Sequence, residues 1–242
     1  MQNNKIIVVT GSYQGNGEKI CKIFLEKSFK VYCLDFRYKK KIQVSKNLIQ
    51  YKINLEKENE IINFCNYIKK KEKKIDCLVN NAGISIDKKK YRNKDYWEKT
   101  IKINLTAPYL LSENLISLLK NSNNASIINI SSVASKIAMS ENPAYNVSKA
   151  GLISLTESQA FDYSKLKIRS NAICPGYIKT SMTKKSYSNP KMKKKRLDRL
   201  NIRRYGSSSE IANLVFYLSG KEAEYINAQS IIIDGGLIKR GI

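Results

Sequence analysis

The chain has 242 residues, of which 44 are basic and 20 acidic, so its formal net charge is +24; 42% of the residues are hydrophobic and none is histidine. No apolar run reaches the roughly 18 residues that a transmembrane helix needs. Because histidine is missing, no mechanism can use an imidazole as a base or a metal ligand.

Short apolar runs alternate with longer amphipathic stretches along the chain. The short runs predict seven strands, at residues 5–10, 30–35, 48–53, 75–80, 126–130, 168–174 and 230–234. The longer stretches predict helices at residues 17–28, 56–71, 95–119, 143–165 and 208–219. Continuous apolar strands separated by helices are typical of a parallel sheet covered on both faces, so we expect a doubly wound α/β fold.

The chain has no composition break, repeat or flexible linker, so we expect one domain over residues 1–242. Only residues 181–205 stand outside the alternation of strands and helices. This segment is rich in Lys and carries Pro190. Long excursions in compact domains are often lids, and we expect a substrate lid here.

A glycine-rich turn follows the first predicted strand. Its spacing is G-x-x-x-G-x-G, and a helix comes next. Glycine lets the backbone approach a pyrophosphate closely, and the helix start offers free N–H groups. The residues expected to contact a dinucleotide here are Gly11, Ser12, Gln14, Gly15, Asn16 and Gly17. A P-loop is excluded because no Lys-Ser or Lys-Thr follows the last glycine.

An acidic residue, Asp35, ends the second predicted strand. An acid at this place can accept hydrogen bonds from the ribose hydroxyls of an adenosine and repels a 2′-phosphate. The sequence therefore favours NAD over NADP. Arg37 stands close by and is able to pair with a 2′-phosphate, so NADP stays open as the less favoured cofactor.

Tyr145 and Lys149 are four residues apart, which places them on one face of a predicted helix. A free phenol titrates near ~10, and a neighbouring ammonium should lower that pKa. Tyr145 would then exchange a proton with a carbonyl or alcohol oxygen. Ser132, at the end of the fifth predicted strand, would donate a hydrogen bond to the same oxygen. Alone, such a Tyr–Lys pair is common on helix surfaces.

The motifs occur together in a characteristic order. Along the chain they are Thr10-Gly11-x-x-x-Gly15-x-Gly17, Asn80-Asn81-Ala82-Gly83, Asn104, Ser132, Tyr145-x-x-x-Lys149 and Pro175-Gly176. The set resembles the short, single-domain branch of the short-chain dehydrogenase/reductase family. Within that branch the chain is similar to 3-oxoacyl-carrier-protein reductases and to sugar or polyol dehydrogenases. The resemblance implies a Rossmann-like seven-stranded sheet and hydride transfer between a nicotinamide cofactor and a carbonyl or secondary alcohol.

The resemblance also implies roles for individual residues. Tyr145 would be the general acid/base, Lys149 would lower its pKa and hold the nicotinamide ribose, Ser132 would position the substrate carbonyl, and Asn104 would hold a relay water. The other implied cofactor contacts are Asn54 and Leu55 at the adenine, Asn81, Ala82 and Gly83 beside the adenosine, and Pro175, Gly176, Ile178 and Thr180 at the nicotinamide. No metal is expected.

The substrate stays open between a 3-oxoacyl thioester and a sugar, polyol or nucleotide-linked sugar. Basic residues of the lid would suit an acidic carrier protein or an anionic substrate, although solvated charge is the simplest interpretation; they are Lys184, Lys185, Lys191, Lys193, Lys194, Lys195 and Arg196. The resemblance implies a homo-oligomer, a tetramer or dimer. A catalytically silent dinucleotide-binding protein is the alternative from another class.

The composition bears on location and on nucleic acid. Five scattered cysteines without a C-x-x-C pair indicate reduced thiols and no zinc site. Only four apolar residues, 6–9, follow the amino terminus, too few for a secretory signal. We therefore expect a cytoplasmic protein without a membrane partner.

Most basic residues are Lys rather than the Arg that nucleic-acid-binding proteins favour, so no specific nucleic-acid partner is expected.

Overall fold

A computed structural model describes residues 5–85 and 93–239. Its centre is an eight-stranded sheet in the order β3-β4-β2-β1-β5-β6-β7-β8, parallel except for the antiparallel pair β3–β4. The strands are β1 Ile6–Thr10, β2 Lys30–Asp35, β3 Ile42–Ser45, β4 Leu48–Lys52, β5 Cys77–Asn80, β6 Ala125–Ile130, β7 Ile168–Pro175 and β8 Ser230–Ile233. The helices are α1 Gly15–Glu26, α2 Glu58–Lys71, α3 Lys94–Ile101, α4 Ala107–Leu119, α5 Pro143–Asp162, α6 Lys184–Ser188, α7 Pro190–Leu197 and α8 Ser208–Ser219.

Helices cover both faces of the sheet, so the predicted doubly wound fold is confirmed. Phe64 of α2 and Leu111 of α4 belong to the apolar core on one face. Phe24 of α1 and Val215 of α8 belong to the core on the other. The central strands read as continuous apolar runs because each of their faces meets a helix layer.

The strand count is eight rather than the predicted seven. The additional strand, β3, has four residues, and all four are exposed at the edge of the sheet. Sequence analysis missed it because an exposed edge strand produces no continuous apolar run. The neighbouring lysines, residues 39–41, are of the kind that discourages edge-to-edge pairing with other chains.

The predicted helix over 95–119 is interrupted. A π-helical turn at Lys102–Thr106 separates α3 from α4, and Asn104 lies buried in that turn. Pro108 stands in the first turn of α4 and has no N–H to donate to the carbonyl four residues earlier. The break in the ordinary hydrogen-bond ladder follows from that missing donor, and π turns of this kind are frequent at functional sites.

The region predicted as a lid, 181–205, contains the short helices α6 and α7. Its far end is anchored, since Leu200 packs with Val133 and Leu237 in a small apolar cluster. Arg196 lies over the ring of Tyr177, with its guanidinium carbon 4.7 Å from the ring centroid. The segment is therefore folded into two short helices and packs against the rest of the domain.

A buried arginine ties the last helix to the sheet. Arg169 of β7 donates from Nη2 to the carbonyl oxygens of Leu218 (2.8 Å) and Gly220 (3.3 Å), and from Nη1 to that of Ile226 (3.3 Å). Carbonyls at a helix carboxyl end lack partners within the helix, and this side chain supplies donors.

The strand order reverses between β1 and β5, which pair with each other at the centre of the sheet. In open parallel sheets a crevice forms at this switch point, beyond the carboxyl ends of the strands. Thr10, Asp35, Asn80 and Pro175 end their strands at that edge. Among the helices of residues 5–85 and 93–239, none combines the length and hydropathy needed to cross a membrane.

Candidate active site

The glycine turn between β1 and α1 has a backbone that only glycine adopts easily. Gly11 and Gly15 have φ angles of +64° and +65°. A Cβ on Gly17 would lie 2.2 Å from the carbonyl oxygen of Gly11, so the start of α1 packs directly against the turn. Gln14, the N-cap residue, makes no side-chain hydrogen bond to the N–H groups of the helix. Those N–H groups and the positive end of the helix dipole suit an anionic group.

The turn is joined to the loop after β5. Thr10 Oγ1 accepts hydrogen bonds from the backbone N–H groups of Asn81 and Ala82, both at 3.0 Å. Asn81 Nδ2 donates to the carbonyl oxygens of Thr10 (2.9 Å) and Gly11 (3.1 Å). These four bonds hold together the two loops at the switch point, which form the floor of a cleft.

The cleft has a volume of about 260 Å³. It brings together most of the predicted site residues, namely Gly11, Gln14, Gly15, Asn16, Asp35, Asn54, Leu55, Asn81, Ala82, Gly83, Ser132, Tyr145, Lys149, Pro175, Gly176, Ile178 and Thr180. Three predicted residues lie behind this lining. Gly17 packs under the turn, the Ser12 hydroxyl lies 3.3 Å from that of Tyr38, and Asn104 is buried in the π turn.

Asp35 lines the cleft and is already engaged by neighbouring donors. Its carboxylate accepts two parallel hydrogen bonds from the Arg37 side chain, from Nε at 2.9 Å and from Nη2 at 3.0 Å. The backbone N–H groups of Arg37 (3.0 Å) and Tyr13 (3.2 Å) also donate to it. The carboxylate raises the pKa of the Arg37 guanidinium. Arg37 also lies 4.8 Å from the centroid of the Tyr13 ring. Arg37 is thus held between an acid and an aromatic face.

Tyr145, Lys149 and Ser132 also line the cleft. Lys149 is 3% exposed, and its Nζ donates to the carbonyl oxygen of Ile130 at 2.7 Å. The same Nζ lies 5.8 Å from the centroid of the Tyr145 ring. Burial lowers the pKa of Lys149 to about 8. The two residues predicted as a pair are therefore on one face of α5, both directed toward the cleft.

The predicted fall in the pKa of Tyr145 is not found. Burial raises the pKa of this phenol above its usual value, and a hydrogen bond with the Ser132 hydroxyl offsets part of the rise. Desolvation disfavours the charged phenolate, and the ammonium of Lys149 is directed partly at Ile130. Tyr145 is consequently protonated at neutral pH and suited to donate a proton.

Asn104 is hydrogen-bonded to α5, the helix that carries Tyr145. Its Oδ1 accepts from the backbone N–H of Ile84 at 2.8 Å, and its Nδ2 donates to the Ile84 carbonyl at 2.9 Å and to Ser148 Oγ at 3.1 Å. Ser148 Oγ in turn donates to the carbonyl oxygen of Tyr145 at 2.9 Å. Sequence reasoning missed Ser148, although its position three residues after Tyr145 places it one turn along the helix.

The residues of this cleft fit a nicotinamide dinucleotide, since the glycine turn offers backbone N–H groups to a pyrophosphate and Asp35 suits the ribose side. A Cβ on Gly11 would lie 2.8 Å from Ala82 Cα, so a side chain at this position would not fit between the turn and the loop after β5. The cleft is also lined by residues outside the predicted catalytic and cofactor contacts, most of them apolar: Leu34, Phe36, Arg37, Ile53, Ile84, Ile103, Ile130, Ser131, Ser181, Met182 and Thr183. Among them, Ser181 at the start of the lid accepts a hydrogen bond from Gln14 Nε2 of the glycine turn.

Comparison with known proteins agrees with this site. A family model described as enoyl-(acyl carrier protein) reductase matches residues 11–238. A 3-oxoacyl-(acyl-carrier-protein) reductase of Buchnera aphidicola is 33% identical over 238 residues, covering 96% of this chain and 97% of that protein. An NAD-dependent glycerol dehydrogenase of Listeria innocua is 31% identical over 242 residues, covering 96% and 93%.

A solved structure titled 4-hydroxyisoleucine dehydrogenase complexed with NADH superposes with a TM-score of 0.91 at 31% identity, covering 98% of this chain and 100% of that one. The residues matched by the family model include the glycine turn, the Tyr145–Lys149 helix and the last strand. The chain is a member of the short-chain dehydrogenase/reductase family of oxidoreductases.

Proposed function

We propose that the protein transfers a hydride between bound NAD and a carbonyl or secondary alcohol carbon, with Tyr145 as the general acid/base. One observation carries this proposal: Tyr145, Lys149 and Ser132 line the same cleft as the glycine turn and Asp35. The residues proposed to hold the cofactor and those proposed to transfer the proton therefore face one continuous space.

In the proposed reaction, Tyr145, Ser132 and Lys149 each have a separate role. The nicotinamide supplies or accepts the hydride when the cofactor is bound. The Tyr145 hydroxyl, kept protonated by burial, donates its proton to the carbonyl oxygen of the substrate. Ser132 donates a hydrogen bond to the same oxygen, and the Lys149 ammonium stabilises the phenolate that Tyr145 becomes. Because Lys149 and Ser132 are buried and Tyr145 is half-buried, their electrostatic effects are stronger than they would be in water.

Replacing Tyr145 by Phe removes the proton donor and keeps the ring. We expect turnover to fall by roughly 10²–10⁴-fold, the usual contribution of a general acid, while NADH binding is largely retained. NADH absorbance would report turnover, and NADH fluorescence would report binding. Tyr225→Phe, at a fully exposed tyrosine, is the matched control and should keep wild-type rates. A Tyr145→Phe protein with wild-type kcat would contradict the assignment.

We propose NAD as the cofactor, because the Arg37 guanidinium is already engaged by Asp35 through two hydrogen bonds. A 2′-phosphate would face the Asp35 carboxylate and lack a free guanidinium. The NADH complex of a structural relative supports this preference.

Asp35→Ala should raise the affinity for NADPH, since it removes a negative charge and frees Arg37. The double variant Asp35→Ala/Arg37→Ala should lose the gained NADPH affinity if Arg37 contacts the 2′-phosphate. It should keep that affinity if the gain came only from removing the repulsion by Asp35. Titration of both variants and the wild type with NADH and NADPH measures the effect. Equal affinity of the wild-type protein for the two cofactors would remove the basis of the cofactor proposal.

For the substrate we propose a 3-oxoacyl thioester. The reductase of Buchnera supports this choice, as do the apolar side chains of Ile84 and Met182 in the cleft. The exposed lysines of α7 form a positively charged surface that is complementary to an acidic carrier protein. A sugar or polyol is the second candidate, favoured by the similarity to a glycerol dehydrogenase.

A substrate panel with NADH separates the two candidates. We expect acetoacetyl thioesters to be reduced with a higher kcat/KM than keto sugars or dihydroxyacetone. If a carrier protein docks on the lid, kcat/KM should be higher for the acetoacetyl-carrier protein than for acetoacetyl-coenzyme A. This difference in kcat/KM should become smaller as salt is added, because salt screens the charges of the lid. Reduction of keto sugars alone would favour the second candidate.

We also propose a cytoplasmic homo-oligomer, a tetramer or dimer. All five cysteines are unpaired, which fits a reducing compartment. Phe161 of α5 is 82% exposed, and Tyr109 of α4 is also exposed. Large apolar side chains left in solvent on neighbouring helices support an interface between copies.

Phe161→Lys should shift the protein toward smaller species, because a charge would be buried in the interface. Sedimentation velocity at micromolar protein measures this. Val44→Lys, which makes the same kind of change on the exposed edge strand β3, should leave the assembly intact. A wild-type protein that sediments as a monomer would be incompatible with the proposal.

A further inference from the structure

Two cysteine side chains meet beneath the glycine turn. Cys21 lies in α1 and Cys33 in β2, and their Sγ atoms are 3.1 Å apart. Unbonded heavy atoms in a protein interior usually pack at about 3.5–4.0 Å. A disulfide has an S–S length of about 2.05 Å. The two sulfur atoms are therefore about 1 Å from bonding distance.

The fold fixes this encounter. Side chains alternate along β2, so Cys33 faces α1 together with Val31, while Tyr32 and Leu34 face the opposite helix layer. Cys21 occupies the face of α1 that packs on the sheet. Cys21 and Cys33 are 5% and 3% exposed as whole residues, so a small solute reaches the thiols when the packing around them opens locally.

The pair lies next to two elements of the proposed cofactor site. Cys21 is four residues after Gly17, one helical turn from the start of α1 that packs against the glycine turn. Cys33 is two residues before Asp35, on the same face of the strand. Because the interior is close-packed, a displacement that brings the sulfur atoms together must move the helix start, the strand end, or both.

We propose that Cys21 and Cys33 form an oxidative modification site, at which a peroxide converts the two thiols into a disulfide that weakens dinucleotide binding. One thiol is oxidised by hydrogen peroxide to a sulfenic acid with release of water. The sulfur of the second thiol then attacks the sulfenic sulfur, and a second water leaves. Two S–H bonds are thus replaced by one S–S bond, and the O–O bond is reduced to two waters.

Burial sets the rate of this reaction. It raises the pKa of the Cys21 thiol well above its usual range, and the thiolate is the reactive form. The cross-link should therefore form slowly, and faster as the pH rises. The effect on binding rests on the proposed function, whereas the cross-link itself does not.

Peptide mapping tests the cross-link. After treatment with hydrogen peroxide, the count of free thiols in the unfolded protein should fall from five to three. Trypsin should release residues 20–22 joined to residues 31–37, lighter by two hydrogen atoms than the separate peptides. Cys33→Ala should abolish this product, and Cys65→Ala, at a buried cysteine of α2, should not. Five remaining thiols, or a different cysteine pair in the wild-type map, would overturn the proposal.

NADH titration tests the coupling. The Kd of the cross-linked protein should be several-fold higher than that of the reduced protein, and dithiothreitol should restore it. Peroxide should leave the Kd of Cys33→Ala unchanged. An unaltered Kd in fully cross-linked protein would refute the coupling. If the reduced protein binds no NADH, the proposed function fails, and the peptide map still decides the cross-link.

Discussion

The site depends on one buried hydrogen bond, from Lys149 Nζ to the carbonyl oxygen of Ile130. It joins the helix that carries Tyr145 to the end of the central strand β6. An ammonium removed from water needs such a partner, because an unpaired buried charge costs several kcal/mol. The bond therefore orients Lys149 and, through the helix, fixes where the phenol of Tyr145 lies in the cleft.

A buried polar network maintains the register of the same helix farther along. Asn129 of β6 donates from Nδ2 to Thr156 Oγ1 (2.9 Å) and Gln159 Oε1 (3.1 Å), and it accepts from Asn80 Nδ2 at 2.8 Å. Thr156 is seven residues, or two turns, beyond Lys149, so it lies on the same face of α5. Networks of this kind specify one arrangement of the elements they join. The position of Tyr145 is thus set partly by side chains two turns farther along α5.

The features of the site that depend on residues close together in the chain could be predicted from the sequence. The glycine turn, Asp35 at a strand end and the spacing of Tyr145 and Lys149 each follow from a few neighbouring residues and the period of one element. The environment of Asn104 could not be predicted, because its partners Ile84 and Ser148 lie 20 and 44 residues away. The pKa of Tyr145 was predicted in the wrong direction because it depends on burial, which the spacing of two residues does not contain. Likewise, the edge strand β3 has no buried face that would give it a pattern.

The buried guanidinium of Arg169 has a consequence for which side chains position 169 tolerates. Its two terminal nitrogens donate to three backbone carbonyls, two at the end of α8 and one at Ile226. Lys carries the same charge, but all of its donors lie on one nitrogen, so it does not reproduce the planar fork of a guanidinium. An Arg169→Lys replacement would therefore keep the net charge and still leave carbonyl groups at the end of α8 without a donor.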